Sequence, residues 1–257
     1  MSEAVNQNML RRVYDWIASA GPLWPSRCLV CGEACPGRGR GEAPMSPLEG
    51  ICPPCARALP WNRHACDRCA LPLPAIDAGT TCGACLRRPP PLAACRAVFV
   101  YGFPLDRLLP RAKFHKDLAA SRQLGRWMAG ALEDLLAADE RPQAVVPLPL
   151  HRGRLRGRGY DQALELTRPL ARRLGLPLRD DLLRRVRATA PQSRQDAAGR
   201  RRNLRNAFIV PAGVAVPAHV AIVDDVMTTG ATLHAAASAL RRAGVARVDA
   251  WVCARVP

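Results

Sequence analysis

Lysine is almost missing from this chain. Of its 38 basic residues only Lys113 and Lys116 are lysines, and the other 36 are arginines. Aromatic residues make up 5%, too few to furnish a long row of stacking rings; Trp24, Trp61 and Phe114 are the candidates, and each also suits a core. Long apolar runs are absent as well. The nearest approach, residues 207–223, is broken by Pro211, Gly213, Pro217 and His219, which excludes a bilayer span and predicts two strands around a turn. Residues 1–20 carry Glu3 early and no continuous apolar stretch, which excludes a secretory signal. Val5, Met9, Val13, Trp16 and Ile17 recur there at helical spacing and predict an amphipathic helix over residues 1–22. A cytoplasmic protein with no membrane span is expected.

Acidic residues are also scarce. Twenty-one Asp and Glu leave a net charge of +17, an excess that attracts phosphate-bearing partners such as nucleotides, nucleic acid or an acidic membrane surface. A GC-rich coding sequence would produce the same bias toward arginine. With 257 residues, 49% of them hydrophobic, the chain is long enough for one or two domains with a real core and is not a disordered polymer.

Eleven cysteines are present, and they are unevenly spread. Eight of them form four Cys-x-x-Cys pairs: Cys28 with Cys31, Cys52 with Cys55, Cys66 with Cys69, and Cys82 with Cys85. Each pair offers two thiolates on one tight turn, and two such knuckles supply the four sulfurs of a tetrahedral Zn²⁺ site. A redox pair usually comes singly, so two structural zinc ions per chain are predicted. Pairing can be sequential or interleaved, and loop-closure entropy favours the sequential arrangement. Cys35, His64 and Cys95 lack a knuckle partner and are spectators on this reading. The segment has few large apolar residues, so metal would supply its folding energy. An all-sulfur set leaves no open coordination position, so these ions are expected to catalyse nothing.

From residue 96 the composition changes to an α/β alternation. Strands are expected over residues 97–101, 144–146, 182–186, 219–223 and 248–252, with helices over 118–138, 160–174 and 231–243. Residues 188–206 are polar and arginine-rich and read as a mobile loop. Such alternation implies a parallel sheet wrapped by helices. The expected organisation is therefore a helix over residues 1–22, a double zinc ribbon over 23–95 and an α/β domain over 96–257.

The chemistry sits at one junction, Ala221-Ile222-Val223-Asp224-Asp225-Val226-Met227-Thr228-Thr229-Gly230-Ala231-Thr232. An apolar strand delivers two acids to the carboxyl end of the sheet, where open α/β proteins place ligands. A hydroxyl-rich loop with one glycine then opens a helix, whose free N–H groups and dipole suit a phosphate. The Gly-Lys-Ser/Thr ending of a Walker A loop is absent. Acceptors for a diol next to donors for a phosphate match a ribose 5-phosphate.

This stretch closely resembles the phosphoribosyl pyrophosphate signature of the type I phosphoribosyltransferases. Further segments resemble the ComF family within that group: Val146-Pro147-Leu148-Pro149-Leu150-His151, Arg154-Leu155, Arg158-Gly159-Tyr160-Asp161-Gln162-Ala163, Lys113-Phe114, and the set Arg187, Thr189, Gln192, Arg201 and Asn203 with Ala207-Phe208. The cysteine-rich double ribbon ahead of the domain matches the same family. Two positions depart from its pattern, Asp161 where asparagine is common and Asp196-Ala197-Ala198 where a leucine is more usual; a carboxylate at 161 weakens any role there in holding an anion.

The resemblance implies an α/β fold, a parallel-sheet type I phosphoribosyltransferase-like domain preceded by a small zinc-ribbon module. It implies that Asp224 and Asp225 accept hydrogen bonds from ribose hydroxyls and that residues 226–232 complete the phosphoribosyl pyrophosphate site, with 228–232 on the 5-phosphate. Leu150, His151, Arg152 and Arg158 would face the pyrophosphate, with Mg²⁺ arriving on its oxygens. Arg200, Arg201 and Arg202 are further clamps or simply solvent-exposed arginines. Two functions follow: phosphoribosyl transfer to a nitrogen acceptor, or non-catalytic handling of single-stranded DNA in natural competence, alongside other competence DNA-processing proteins, with the phosphoribosyl pyrophosphate site kept for binding.

Overall fold

The computed structural model describes residues 27–35, 48, 50–77, 80–114, 117–136, 141–187 and 206–257. The expected helix over 1–22, the polar loop up to residue 205, and with them Lys116, Thr189, Gln192 and Arg200 to Asn203, lie outside these. The chain divides into two compact units between Ala58 and Leu59. Residues 59–95, grouped by sequence with the first cysteine pairs, belong to the same unit as the α/β domain.

In the smaller unit, residues 27–35 form a tight hairpin turn closed by the Arg27–Ala34 bridge. A short helix, α1 (Pro53–Arg57), follows, with Cys52 as its N-cap residue. Proline at the first helical positions costs no hydrogen bond, since those N–H groups have no partner inside a helix. The larger unit opens with the same pattern. The Ala65–Pro72 bridge closes a second turn, and Cys82 caps helix α2 (Gly83–Arg87).

The larger unit is built on four parallel strands, β1 (Ala94–Val100), β2 (Ala144–Pro147), β5 (His219–Met227) and β6 (Arg247–Arg255), in the order β1-β6-β5-β2. Val220, Ala221, Ile222 and Val223 are all buried, as are Val248, Ala250, Trp251 and Val252. Strands apolar on both faces belong in the middle of a parallel sheet covered on both sides. One face is covered by α4 (Leu118–Leu135) and α6 (Gln162–Leu174), which pack on each other and on the sheet. Leu124, Trp127, Met128 and Leu132 supply one side of that contact, Leu166 and Leu170 the other. On α4 these recur at three- and four-residue intervals, the period of a single helix face. The other face carries α7 (Ala231–Arg242), with Leu233, Ala236, Ala237 and Leu240 turned into the core. Two further helices, α3 (Leu105–Phe114) and α5 (Arg152–Arg158), were not expected from periodicity.

The expected strand over residues 182–186 takes a different role. Only Arg184 and Arg185 form strand β3, and they pair antiparallel with β4 (Phe208–Ile209) in a separate ladder. Leu182, Leu183 and Phe208 are buried. The segment is thus a two-stranded clip anchored by buried Leu182, Leu183 and Phe208, not a member of the parallel sheet. Strand β5 also runs farther than expected, to Met227 instead of Val223.

Candidate functional site

Strand lengths create the site. β2 pairs with β5 only as far as Pro147 opposite Val223, whereas β6 continues alongside to Arg255 opposite Met227. The next two residues of β5, Asp224 and Asp225, therefore emerge where one flanking strand has ended. Successive side chains on a strand point to opposite faces, and the two acids meet different neighbours. Asp225 is buried, and its Oδ2 lies 2.7 Å from Lys113 Nζ and accepts a 2.7 Å hydrogen bond from Gln162 Nε2. Gln162 in turn accepts from Arg158 Nη1 at 3.0 Å, so α3, α5 and α6 all converge on this carboxylate. Tyr160 donates its hydroxyl to the Ala112 carbonyl, tying the end of α3 to the turn before α6.

Asp224 feels Arg185, whose guanidinium is stacked 5.4 Å from the Phe208 ring centre. Burial, reinforced by Arg154, lowers the Arg185 pKa, and Asp224 opposes that shift. Burial and the neighbouring Asp225 charge push the Asp224 carboxyl well above the usual carboxylate range, with Lys113 opposing. The pair is thus set up to accept hydrogen bonds at the cost of confined negative charge.

Helix α7 begins immediately beyond, with Gly230 as its N-cap residue at φ +73°. A side chain there would be strained by that backbone angle, and a Cβ would stand 2.4 Å from Met227 Cε and 2.9 Å from His234 Nε2. Thr228 and Thr229 are exposed next to it. A twelve-residue helix N-terminus with exposed hydroxyls is an anion site in physical terms.

The other predicted positions are distributed as follows. The Leu150 N–H donates to Asp161 Oδ2 at 3.1 Å, and Asp161 Oδ1 caps α6 through Leu164 N. His151 caps α5, its Nδ1 accepting from Gly153 N at 3.1 Å. Arg152 is exposed on α5, and Arg158 joins the Asp225 network through Gln162. The carboxylate at 161 therefore acts as a cap and a brace for the loop after β2. Lys113, Gln162 and Arg185 were not assigned to the site from sequence. Their signal was there in part, since Lys113 and Gln162 stand in the motifs that carried the resemblance.

The eight knuckle cysteines gather into two clusters, Cys28, Cys31, Cys52 and Cys55, and Cys66, Cys69, Cys82 and Cys85. Within each, the sulfurs all lie within 4.8 Å of one another, so pairing is sequential. Cys52 N donates to Cys28 Sγ at 3.4 Å, and Cys82 N donates to Cys66 Sγ at 3.3 Å. Burial opposes a thiolate at Cys28 and Cys66, but backbone N–H groups outweigh it and lower the two to about 6 and about 7. Four sulfurs of which some are held as thiolates fit structural zinc. Cys35 and Cys95 stand outside the clusters; Cys95 is buried against Met227 and is pushed up to about 12 by burial.

Comparison with known proteins agrees with both halves. A phosphoribosyl transferase domain model matches residues 161–257, and a double zinc ribbon domain model matches residues 21–86. Fold and sites together define a phosphoribosyltransferase-domain protein with an N-terminal double zinc ribbon. The DNA utilization protein YhgH of Salmonella typhimurium is 37% identical over 211 residues, covering 80% of this chain and 90% of that protein. Competence protein F of Haemophilus influenzae is 33% identical over 233 residues, covering 89% and 96%. Competence protein ComFC of Streptococcus pneumoniae is 29% identical over 161 residues, covering 62% and 67%. The chain belongs to the ComF family. No helix among the described residues is long and apolar enough to cross a membrane.

Proposed function

We propose that the site at the end of β5 binds phosphoribosyl pyrophosphate and transfers its phosphoribosyl group to a nitrogen acceptor. The observation that carries this reading is the adjacency of the Asp224–Asp225 pair and the Gly230-opened N-terminus of α7. Two carboxylates accept the ribose hydroxyls, and residues 228–232 receive the 5-phosphate. Arg152, Arg154 and Arg158 on α5 present positive charge to the departing pyrophosphate. In the transfer the bond from the anomeric carbon to pyrophosphate breaks, the acceptor nitrogen's lone pair forms the new bond, and its proton leaves to solvent. Charge stabilisation and positioning are the protein's share. Among the described residues no third carboxylate gathers with the aspartates, so Mg²⁺ would be held mainly by the pyrophosphate oxygens. Two all-thiol sites fit a reducing compartment such as the cytoplasm.

Calorimetry tests the binding. Replacing Asp224 and Asp225 by asparagine should weaken phosphoribosyl pyrophosphate by about 100-fold, the loss of two hydrogen bonds to charged groups. Unchanged affinity would falsify the assignment. Pyrophosphate release in a screen of nitrogenous acceptors then tests turnover.

A second reading has the relatives' names in its favour. Proteins called DNA utilization and competence proteins, together with the +17 charge, suit single-stranded DNA handling among competence DNA-processing proteins. Binding should then weaken steeply between about 50 and 200 mM salt. No binding at low salt would discard this alternative.

A further inference from the structure

A groove of about 730 Å³ runs along the outer face of α7, opposite the second cysteine cluster. Ala231, Ala235, Ser238 and Arg242 line one wall at helical spacing, and Ala84 and Cys85 of α2, with Arg88 just past its end, face them. Pro89, Pro90 and Pro91 add an apolar strip. The groove begins at Thr229, beside the proposed phosphate loop, but Asp224, Asp225 and α5 do not line it. It is therefore separate from the space between the acids and the α5 arginines.

Its charged side chains are arginines, set beside Cys69 and Cys85 of the second cysteine cluster. Arg88, Arg242 and Arg255 stand along it, and among the described lining residues there is no carboxylate. Arg255 is held by backbone carbonyls, its Nε donating to Cys69 O at 3.0 Å and its Nη1 to Met227 O at 3.4 Å. His234 registers that field, because burial and the Arg255 charge both hold its pKa below the usual value. Arg88 and Arg242 are exposed, and a planar fork of donors is suited to phosphate oxygens. The volume lies within the range of small-molecule sites, in which apolar lining and a few placed polar groups share the work.

We propose that this groove is a second ligand site, taking a nucleoside phosphate whose phosphate meets Arg88 and Arg242 and whose base lies on the proline strip. It shares Met227, Thr229 and Ala231 with the proposed phosphoribosyl pyrophosphate site but none of that site's acids or α5 arginines, and the phosphate contacts assigned to Arg88 and Arg242 lie outside it. The nucleotide is either free or one unit of a strand, and the groove chemistry is shared by both.

The test is binding of thymidine monophosphate, and separately of an oligothymidylate of about eight nucleotides, to the full chain, with inorganic phosphate as competitor. Arg88→Glu combined with Arg242→Glu should weaken nucleotide binding at least about tenfold, as charge-assisted bonds to phosphate become repulsive. Ser238→Trp should do the same by filling the groove without changing charge. Both variants should leave phosphoribosyl pyrophosphate affinity within about twofold, since Arg88, Ser238 and Arg242 are outside the residues assigned to that ligand. Comparable sensitivity with the oligomer more than about tenfold tighter identifies a strand; no gain identifies a free nucleotide. The proposal is overturned if neither probe binds, if binding survives both variants, or if inorganic phosphate competes as well as the mononucleotide. Loss of phosphoribosyl pyrophosphate affinity in the Arg88/Arg242 variant would also overturn it, by making the charges part of the other site.

Discussion

The two cysteine clusters are built alike and anchored differently. In each, the first two cysteines lie on a hairpin turn and the last two at the start of a one-turn helix. Cys28 N donates to Glu33 O as Cys66 N does to Leu71 O, and Gly32 N donates to Cys28 O as Ala70 N does to Cys66 O. The surroundings then diverge. The first cluster has Cys31 exposed and Cys52 and Cys55 half-buried. In the second, Cys66, Cys82 and Cys85 are buried, and the frame is knitted to the sheet. Cys95 N donates to Asp67 O, Arg68 Nη1 reaches the Leu92 and Ala93 carbonyls, and Trp61 bridges to Phe99 with ring centres 4.8 Å apart. Most telling is Arg255 at the end of β6. It clamps the Cys69 carbonyl to the Met227 carbonyl, one residue before the proposed phosphate loop. One ribbon is a unit by itself; the other is part of the wall that sets the loop.

The largest effect should come from removing one cluster or the other. Structural zinc in small domains is worth on the order of 10 kcal/mol, enough to decide whether the local fold exists. Cys66→Ser with Cys82→Ser should lower zinc content by one per chain and weaken phosphoribosyl pyrophosphate at least about 100-fold, as the Arg255 clamp loses its footing. Cys28→Ser with Cys52→Ser should also remove one zinc yet leave that affinity within about threefold, because the first cluster belongs to the smaller compact unit and the loop to the larger one. Equal losses from both variants would break the comparison.

Arg255→Lys isolates the clamp from the metal. A single ammonium cannot span two carbonyls as a guanidinium fork does, so affinity should fall about tenfold, the net worth of one or two such hydrogen bonds. Zinc content should stay at its wild-type value. Affinity that survives would show that the second ribbon acts by some other route.

How much of this was legible in sequence follows from what each feature depends on. The knuckles were readable because spacing alone makes them, and the acid pair because it follows an unbroken apolar strand. The segment at 182–186 was misplaced because its apolar residues, Leu182 and Leu183, pack as a short run that carries no information on strand partner. Helix α5 was missed because Arg-Gly-Arg-Leu-Arg-Gly-Arg has no apolar face to show a period. Lys113 and Gln162 lie 112 and 63 residues from Asp225, and only the packing of α3 and α6 brings them to one oxygen. The attachment of residues 59–95 to the sheet rests partly on hydrogen bonds to carbonyls, which leave no trace in side-chain composition, and partly on scattered apolar residues such as Trp61, Ala70 and Leu92 that show no period.

Acid should separate ligand binding from ribbon integrity. The Asp224 pKa is raised on folding, so the native state binds more protons than the unfolded chain between the ordinary carboxylate value and the raised one. Its ionisation therefore costs stability above the raised value, and the cost disappears below the ordinary value. Asp224→Asn should raise the melting temperature at neutral pH by a few degrees, on the order of 1 kcal/mol, and the gain should vanish in acid. Phosphoribosyl pyrophosphate affinity should fall as pH drops through the raised value, with the same profile in the Cys28/Cys52 variant. A profile that shifts when the first cluster is removed would couple the two units.

The smallest effect concerns one methyl group. Both turns carry a residue with positive φ after the second cysteine, Gly32 at +77° and Ala70 at +54°. A Cβ on Gly32 would meet nothing within 4 Å, whereas Ala70 is fully buried within the main core. Gly32→Ala thus gains no contact and incurs the left-handed penalty, about 1 kcal/mol. Ala70→Gly relieves a similar strain but gives up a buried methyl worth about 0.8 kcal/mol and adds backbone freedom to the unfolded chain. Its net change in stability should lie within about 0.5 kcal/mol of zero or be slightly unfavourable. Thermal melts of the two variants, read with zinc content, decide it. If Ala70→Gly were clearly stabilising, the buried methyl would contribute nothing, and the second turn would hold its left-handed alanine for no reason found in its packing.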